Sequence, residues 1–557
     1  MNLDRYFTNQ EISDVIEVWQ EKFPKLLEVR TIGDSFEKRP IWLLVITNKD
    51  SGSDTDKPAV WIDANIHATE ISGTTVALQV AATLLEDYDQ KPEIQALLDS
   101  SVYYIVPRFN PDGAELAMAD RPRYIRSGVR TYPWPERDEG LHEQDIDGDG
   151  RILQMRLPDP NGDWKISSLD PRMMEKRGPA EHGGEYYRLL PEGLLENYDG
   201  YLIKFARPPE GLDFNRNFPY EWRTEGEQRG AGPYPASEIE VKAIVDFIAQ
   251  HPNINLAITY HTFSRVILRS YSNKADDAME TEDLWVTKKI GKIGTEITGY
   301  RCVSTFHDFK YHPKEVTTGA FDDWMYDHLG AYAYTIELWD LPDESGIKER
   351  KFIEWFQDHP HEDDLKILQW IDEHGEADSY IPWYKFDHPQ LGKVELGGWN
   401  EMYTWRNPPP AFIGAEAKRN LPFAIAMGNM LPRLSIHTLD VKPLGNQEFH
   451  IQLVVENSGF LPSYTSLQGK KRKAVRPVRA EIEIPDTTKL ISGKLRVELG
   501  HLEGRGNKLD ATALWGASPT DHRARTEWVI HAEPGTEVGL QILSERAGSI
   551  RRKLKLE

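Results

Sequence analysis

Apolar and polar positions follow three different patterns along this chain, and each predicts an element. Between residues 9 and 27, Ile12, Val15, Ile16, Trp19, Phe23 and Leu26 recur at the spacing of an amphipathic helix. Leu27 to Ile46 alternates instead, with a break at Lys38-Arg39-Pro40, which predicts a hairpin. Pro58 to Ile62, Ser101 to Val106, Ile254 to Tyr260 and Ala331 to Ile336 are short unbroken apolar runs, expected of strands buried on both faces. Thr74 to Leu85 and Ala415 to Leu431 read as helices. Ser237, with Glu240 three residues on, predicts a capping box opening a helix that runs to about Gln250. Buried strands interleaved with helices make an α/β fold.

Two stretches break this pattern. Ser127 to Phe214 is polar and rich in Pro and Gly, too long for an ordinary connection, and predicts an insertion of small hairpins at about 127–214. Past Pro432 short strand-like runs follow one another, at Phe449–Val455, Arg479–Ile484, Gly493–Leu499, Arg525–Ile530 and Glu537–Leu543. They predict a β-sandwich, Ig-like or transthyretin-like, over 433–557, beside a catalytic α/β unit over 1–432. The length of 557 residues independently favours two domains. The basic run Lys470-Lys471-Arg472-Lys473 reads as a solvated hairpin tip.

Charge narrows the partners. Lys and Arg number 66 against 89 Asp and Glu, a net charge of −23, which argues against nucleic-acid and anionic-membrane surfaces. The one cysteine, Cys302, excludes an intrachain disulfide framework. No basic, apolar leader opens the sequence, so a cytoplasmic location is the expectation. No run of about 18 apolar residues predicts a membrane span. Oligomeric state is not encoded in any of these patterns.

Polar groups at strand ends carry the candidate chemistry. His67 and Glu70 follow the Pro58–Ile62 strand in W-I-D-A-N-I-H-A-T-E, three residues apart, so that both can lie on one side of a single turn. With one further His they would make an open His₂Glu zinc site with a position left for water. The same spacing at His182/Glu185 and His359/Glu362 has no strand ahead of it and reads as surface. His261 ends the third strand and Glu337 the fourth, the edge where open α/β sheets bind ligands. Asp145, Asp147 and Asp149, in D-I-D-G-D-G, match the first half of a calcium loop, but Arg156 stands where its bidentate Glu belongs. A structural calcium and an Asp/Gly turn are equally open.

H-A-T-E, N-P-D-G, R-Y-I-R, D-F-N-R-N, Y-H-T-F-S, D-D-W and T-I-E-L occur in this order, and with them the chain resembles the zinc metallocarboxypeptidases of the carboxypeptidase A/B type. The resemblance implies a mixed eight-stranded sheet with helices on both faces. It implies one zinc ion per chain on His67, Glu70 and His261, with Glu337 as general base and acid. Arg126 would polarise the scissile carbonyl, and Asn215 with Arg216 would hold the free C-terminal carboxylate of a peptide substrate. Asp322 falls at the floor of the side-chain pocket, where an acid selects C-terminal Lys or Arg. Ungapped counting puts Glu315 at the place of the family's mobile tyrosine, with Tyr311 as the nearby substitute. Two other functions stay open: an amidohydrolase of the same fold acting on a cell-wall peptide, γ-glutamyl or N-acyl amino acid substrate, and a non-catalytic binding module.

Overall fold

The structure is a computed structural model and describes residues 2–134, 136–310, 312, 314–376, 378–510 and 516–557. Its centre is an eight-stranded mixed sheet. We number its strands β1 (Leu27–Asp34), β2 (Pro40–Ile46), β3 (Ala59–Ala64), β4 (Val102–Val106), β5 (Ile254–Thr262), β6 (Val266–Arg269), β7 (Arg301–Ser304) and β8 (Tyr332–Leu338). Their order across the sheet is β1-β2-β4-β3-β5-β8-β6-β7. The central strands β4, β3, β5 and β8 run parallel, while the β1/β2 hairpin and β6 enter antiparallel. Every residue of β3, β4, β5 and β8 is buried, which is why these segments read as unbroken apolar runs rather than alternating ones.

Neighbouring tyrosines on β4 show how both faces are covered. Tyr103 donates to backbone carbonyls of Ala424 and Ile425 in the helix Pro410–Asn429, whereas Tyr104 packs edge-on against Phe247 in the helix Ile239–Gln250. Successive strand residues point to opposite faces, so these two helices lie on opposite sides of the sheet.

The Ile239–Gln250 helix has a different start from the capping box expected. Glu238 occupies the N-cap position without a side-chain bond, because Ser237 donates to Glu238 and Glu240 accepts instead from the backbone N–H of Phe36. A distant backbone donor has captured the capping carboxylate.

The inserted stretch does form short strands, but they do not remain local hairpins. Gln154–Pro158, Trp164–Ile166, Met174–Lys176 and Tyr187–Pro191 join the hairpin Tyr380–His388/Gly392–Trp399 in one six-stranded antiparallel sheet. It has its own apolar cluster, centred on Leu141, Met155, Leu190 and Leu396.

Residues from Leu434 onward form two four-stranded antiparallel sheets around a separate core that includes Ile451, Leu453, Trp528, Leu540 and Ile542. Burial along Glu448–Asn457 alternates strictly, as one inward face requires. The basic run is not a hairpin tip: it ends the short helix Leu467–Arg472, where Arg472 pairs with Asp327 and Lys471 with Glu280 at 2.8 Å. These cations join the C-terminal sheets to the α/β unit. Among the described residues, no helix is long and apolar enough to cross a membrane.

Candidate active site

The site begins where β3 stops. Asn65 takes a left-handed φ of 62°, a conformation tolerated by Asn, and its amide donates to the carbonyl of His67 at 2.7 Å. A turn then closes through Glu70 N–H to the His67 carbonyl at 3.2 Å, so His67 and Glu70 share one side of it. N-P-D-G holds this turn from behind. Asn110 donates to the carbonyls of Ile66 and Ser127, and Ala68 N–H donates to the carbonyl of Arg126 at 2.9 Å. The loop carrying His67 and the segment carrying Arg126 are thereby bonded to each other.

His261 and Glu337 arrive by register. β5 and β8 are parallel neighbours in which His261 is paired with Glu337, so the two side chains stand on one face, a strand spacing of about 4.8 Å apart. His261 Nδ1 lies 3.0 Å from Glu70 Oε2 and 3.1 Å from His67 Nδ1, while His67 Nδ1 lies 2.8 Å from Glu70 Oε1. All three side chains are buried.

This triad fits a cation. His67 Nε2 is 3.2 Å from Asp213 Oδ1, so its proton is placed there and Nδ1 is left as a bare lone pair. That lone pair faces a carboxylate oxygen and a second imidazole nitrogen at close range, an arrangement of acceptors that a shared cation stabilises. The three edges approach the roughly 3.3 Å of a tetrahedron built on zinc–ligand bonds of about 2.0–2.1 Å. Burial works against ionisation of Glu70, yet the two histidines hold its carboxyl well below the usual range. Burial also lowers His261, which favours the neutral imidazole that a metal needs.

Glu337 is the contrast. It is 9% exposed, and its Oε2 has no hydrogen-bond partner among the described residues. Burial and the nearby Glu70 push it well above the usual carboxylate range, against the pull of Arg126. Such a group can hold and release a proton near the metal triad.

Arg126 donates through Nε to Asp213 Oδ2 at 2.9 Å and through an Nη to Glu70 at 3.3 Å. Asn215 is oriented by its own oxygen, which accepts from Phe321 N–H at 2.8 Å and leaves the amide NH₂ as the donor facing the pocket. Asn215, Arg216 and Asp322 line the same pocket as His67, His261 and Glu337. Asp322 is buried, accepts from the N–H of Asp323, and has no ion-pair partner within 4 Å among the described residues; burial pushes it up to about 6, against backbone hydrogen bonds and the pull of Arg216. Tyr311 lies outside the described residues.

Asp213 is the member of this cluster that the sequence did not single out. Its carboxylate bridges His67 and Arg126 and also accepts from Asn215 N–H at 2.9 Å. Against the cost of burial, Arg126, Arg216 and His67 keep it well below the usual carboxylate range. Its signal was its place at the head of D-F-N-R-N.

The D-I-D-G-D-G loop does not support a calcium site. Asp145, Asp147 and Asp149 approach within 4.8 Å of one another. However, their oxygens accept from Gly148, Gly150, Asp149 and Arg151 N–H groups of their own loop, and Asp147 also takes the Tyr384 hydroxyl. A self-bonded Asp/Gly turn accounts for all of it.

The sequence model of the zinc carboxypeptidase family matches residues 12–355. The chain belongs to the zinc carboxypeptidase family. Carboxypeptidase A4 of Mus musculus is 25% identical over 332 residues, 57% of this chain and 59% of that protein. Carboxypeptidase B2 of Bos taurus is 24% identical over 345 residues, 60% of this chain and 63% of its own length. The chain thus spans about three fifths of these curated relatives. Among solved structures, that of thrombin activatable fibrinolysis inhibitor is 20% identical, with a TM-score of 0.43 over 76% of this chain and 74% of that one. Residues 433–555 match a domain of unknown function, outside the zinc carboxypeptidase match.

Proposed function

We propose that this chain is a zinc-dependent carboxypeptidase that removes the C-terminal residue of peptides, with preference for Lys or Arg. The observation that carries the reading is the pairing of His261 with Glu337 across β5 and β8, beside His67 and Glu70. His67, Glu70 and His261 would hold the zinc, which when bound acidifies water and polarises a carbonyl. Glu337 takes the proton of the attacking water and passes it to the leaving amine, a role suited to a buried carboxyl whose proton affinity is raised. Arg126, fixed by Asp213 and Glu70, presents a guanidinium to the developing oxyanion. The amide donor of Asn215 and the guanidinium of Arg216 receive the substrate's terminal carboxylate, which an internal peptide segment lacks.

The buried Asp322, which has no close ion pair among the described residues, supports the basic preference, since such a carboxylate gains from a cation delivered by the substrate. The test is a panel of peptides and N-acyl amino acids varied at the C-terminal residue, with and without a zinc chelator. We expect chelator-sensitive release of Lys and Arg, loss of turnover in Glu337→Gln, and a shift towards Leu and Phe in Asp322→Ile. Release that survives the chelator, or that needs no free carboxylate, overturns the zinc exopeptidase reading. Unchanged selectivity in Asp322→Ile overturns the basic preference alone. If only γ-glutamyl or cell-wall amides are cleaved, the amidohydrolase reading replaces it.

A further inference from the structure

A second concavity of about 670 Å³ lies between the inserted sheet and the segment Met402–Arg406, within the size range of ligand sites. Its walls are aromatic: Tyr124, Phe205, Phe263, Phe356, Trp399 and Trp405. Three covalent or bonded links join it to the metal cluster. Tyr124 stands two residues before Arg126, and Phe263 two residues after His261, each a reach of about 7 Å at most. On the third side the Trp339 indole, two residues past Glu337, donates to the carbonyl of Thr404 at 2.7 Å. Asn407 then bolts the same wall to the metal loop, donating to the Thr69 carbonyl and accepting from Ser72. A ladder of ring contacts, Phe309–Phe352–Phe356–Trp405–Trp399, runs from the pocket that holds Asp322 into this groove.

The groove is also charged. Glu401 and Arg406 neutralise each other at 2.7 Å, but Glu143, which faces the same space, has no hydrogen-bond or ion-pair partner among the described residues. Glu143 is solvent-exposed and feels both Glu401 and Arg406, so the three leave the groove one net negative charge beside tyrosine and tryptophan faces, an environment that binds an ammonium or guanidinium through both its charge and the ring quadrupoles. Partial desolvation raises the proton affinity of Glu143 and Glu401 adds to it, against the pull of Arg406.

We propose that this groove receives the part of a peptide substrate upstream of the scissile bond and selects a lysine or arginine side chain there. This rests on the exopeptidase reading above and extends it to a second specificity site, walled on one side by the inserted stretch and on the other by residues that flank Arg126 and His261. At about 3.4 Å per extended residue, the groove is reached by the second or third residue upstream of the scissile bond.

The test uses the zinc-loaded full chain and N-acetylated pentapeptides with one shared C-terminal dipeptide, which differ only in Lys or Glu at one upstream position. The readout is the ratio of kcat/KM for the Lys and Glu peptides on one preparation, so that any loss of folded enzyme cancels. We expect a ratio of about tenfold in the wild type, a fall to unity or below in Glu143→Lys, and a reduced ratio in Trp405→Leu. A ratio near one in the wild type, or a ratio unmoved by Glu143→Lys, overturns the proposal. Should neither pentapeptide nor any N-acyl dipeptide be cleaved, the exopeptidase reading fails. The groove is then judged by calorimetric Kd values of the two pentapeptides, where equal affinity rejects it and tighter binding of the Lys peptide upholds it.

Discussion

Asp213→Asn separates two jobs that one carboxylate performs. In the wild type, Oδ1 meets two donors, His67 Nε2 at 3.2 Å and Asn215 N–H at 2.9 Å, whereas Oδ2 meets Arg126 Nε at 2.9 Å. An asparagine offers one oxygen and one NH₂, so a donor must face a donor on one side. Two donors converge on the Oδ1 side and one on the other, so the retained oxygen stays with His67 and Asn215. Arg126 therefore loses the Asp213 contact, while its weaker contact with Glu70 at 3.3 Å remains. Outer-shell changes of this kind cost about 10–100-fold in affinity or activity. Here the larger share should fall on catalysis: kcat/KM down by about 10–100-fold, or about 1.4–2.7 kcal/mol. Zinc affinity should fall less than about tenfold, because His67 keeps its acceptor and only one unit of negative charge is lost.

The assay is chelator-competition titration for zinc, followed by kcat/KM per zinc-loaded enzyme on one basic-ended peptide. Asp213→Ala serves as the comparison, since it abandons His67 as well and should lose zinc affinity further. The account is refuted if Asp213→Asn loses zinc by more than tenfold while the loaded enzyme keeps wild-type kcat/KM. It is equally refuted if neither quantity moves.

Other substitutions probe the scaffold. Asp63 is buried on β3, where burial outweighs the Thr259 and Trp61 donors and pushes it up to about 7. The folded state then holds a proton that the unfolded chain releases, so stability falls as pH rises from about 4 to about 7, by as much as about 4 kcal/mol. Asp63→Asn should flatten that part of a thermal-midpoint profile against pH, and an unchanged slope counts against it. Gly113→Ala would put a Cβ 2.5 Å from Asn110 Nδ2, 2.6 Å from the Ser127 carbonyl and 2.7 Å from Ala68 Cβ. Overpacking of about 1–3 kcal/mol between the His67 loop and the Arg126 segment should lower both the melting point and zinc affinity, and a wild-type zinc affinity would show the contact to be unimportant. Arg546→Met should cost about 2–5 kcal/mol in denaturant unfolding, because the carbonyls of Ile254 and Leu329 both lose a buried donor. A cost below about 1 kcal/mol would mean that water replaces the guanidinium.

What the sequence revealed and what it hid have separate physical causes. The parallel strands were legible because burial on both faces leaves unbroken apolar runs, and the polar residues that end those runs are what the sheet edge collects. His261 and Glu337 stood out as the polar residues that end two of those runs, while their roles came from the resemblance. Asp213 was harder, since an Asp at the head of a loop is usually a turn residue, and its bridging of His67 and Arg126 exists only in three dimensions. The six-stranded inserted sheet was hidden for another reason. Strands as short as Trp164–Ile166 carry almost no periodic signal, and their partners at 380–399 lie far along the chain. Glu240 shows local chemistry losing to tertiary contact, as Phe36 N–H takes the carboxylate that its own helix start could have used.

The C-terminal sheets touch the elements that carry the site although, among the described residues, they supply none of its side chains. Arg546, buried, grips the carbonyl of Ile254 at the start of β5 and that of Leu329 at the end of the helix Phe321–Leu329. Asn255, also on β5, donates to the Arg546 carbonyl and accepts from Thr465. At the same helix end Gly330, at φ 67°, lies so close to Gly469 that a Cβ there would be 2.2 Å from its Cα. The far ends of these two elements carry His261 and Asp322, which line the same pocket. β5 is paired on both sides from Leu256 to Tyr260, just past the irregularity at Ile254 where Arg546 takes hold. The C-terminal sheets thus grip the start of β5, the strand whose far end carries His261 in its pairing with Glu337.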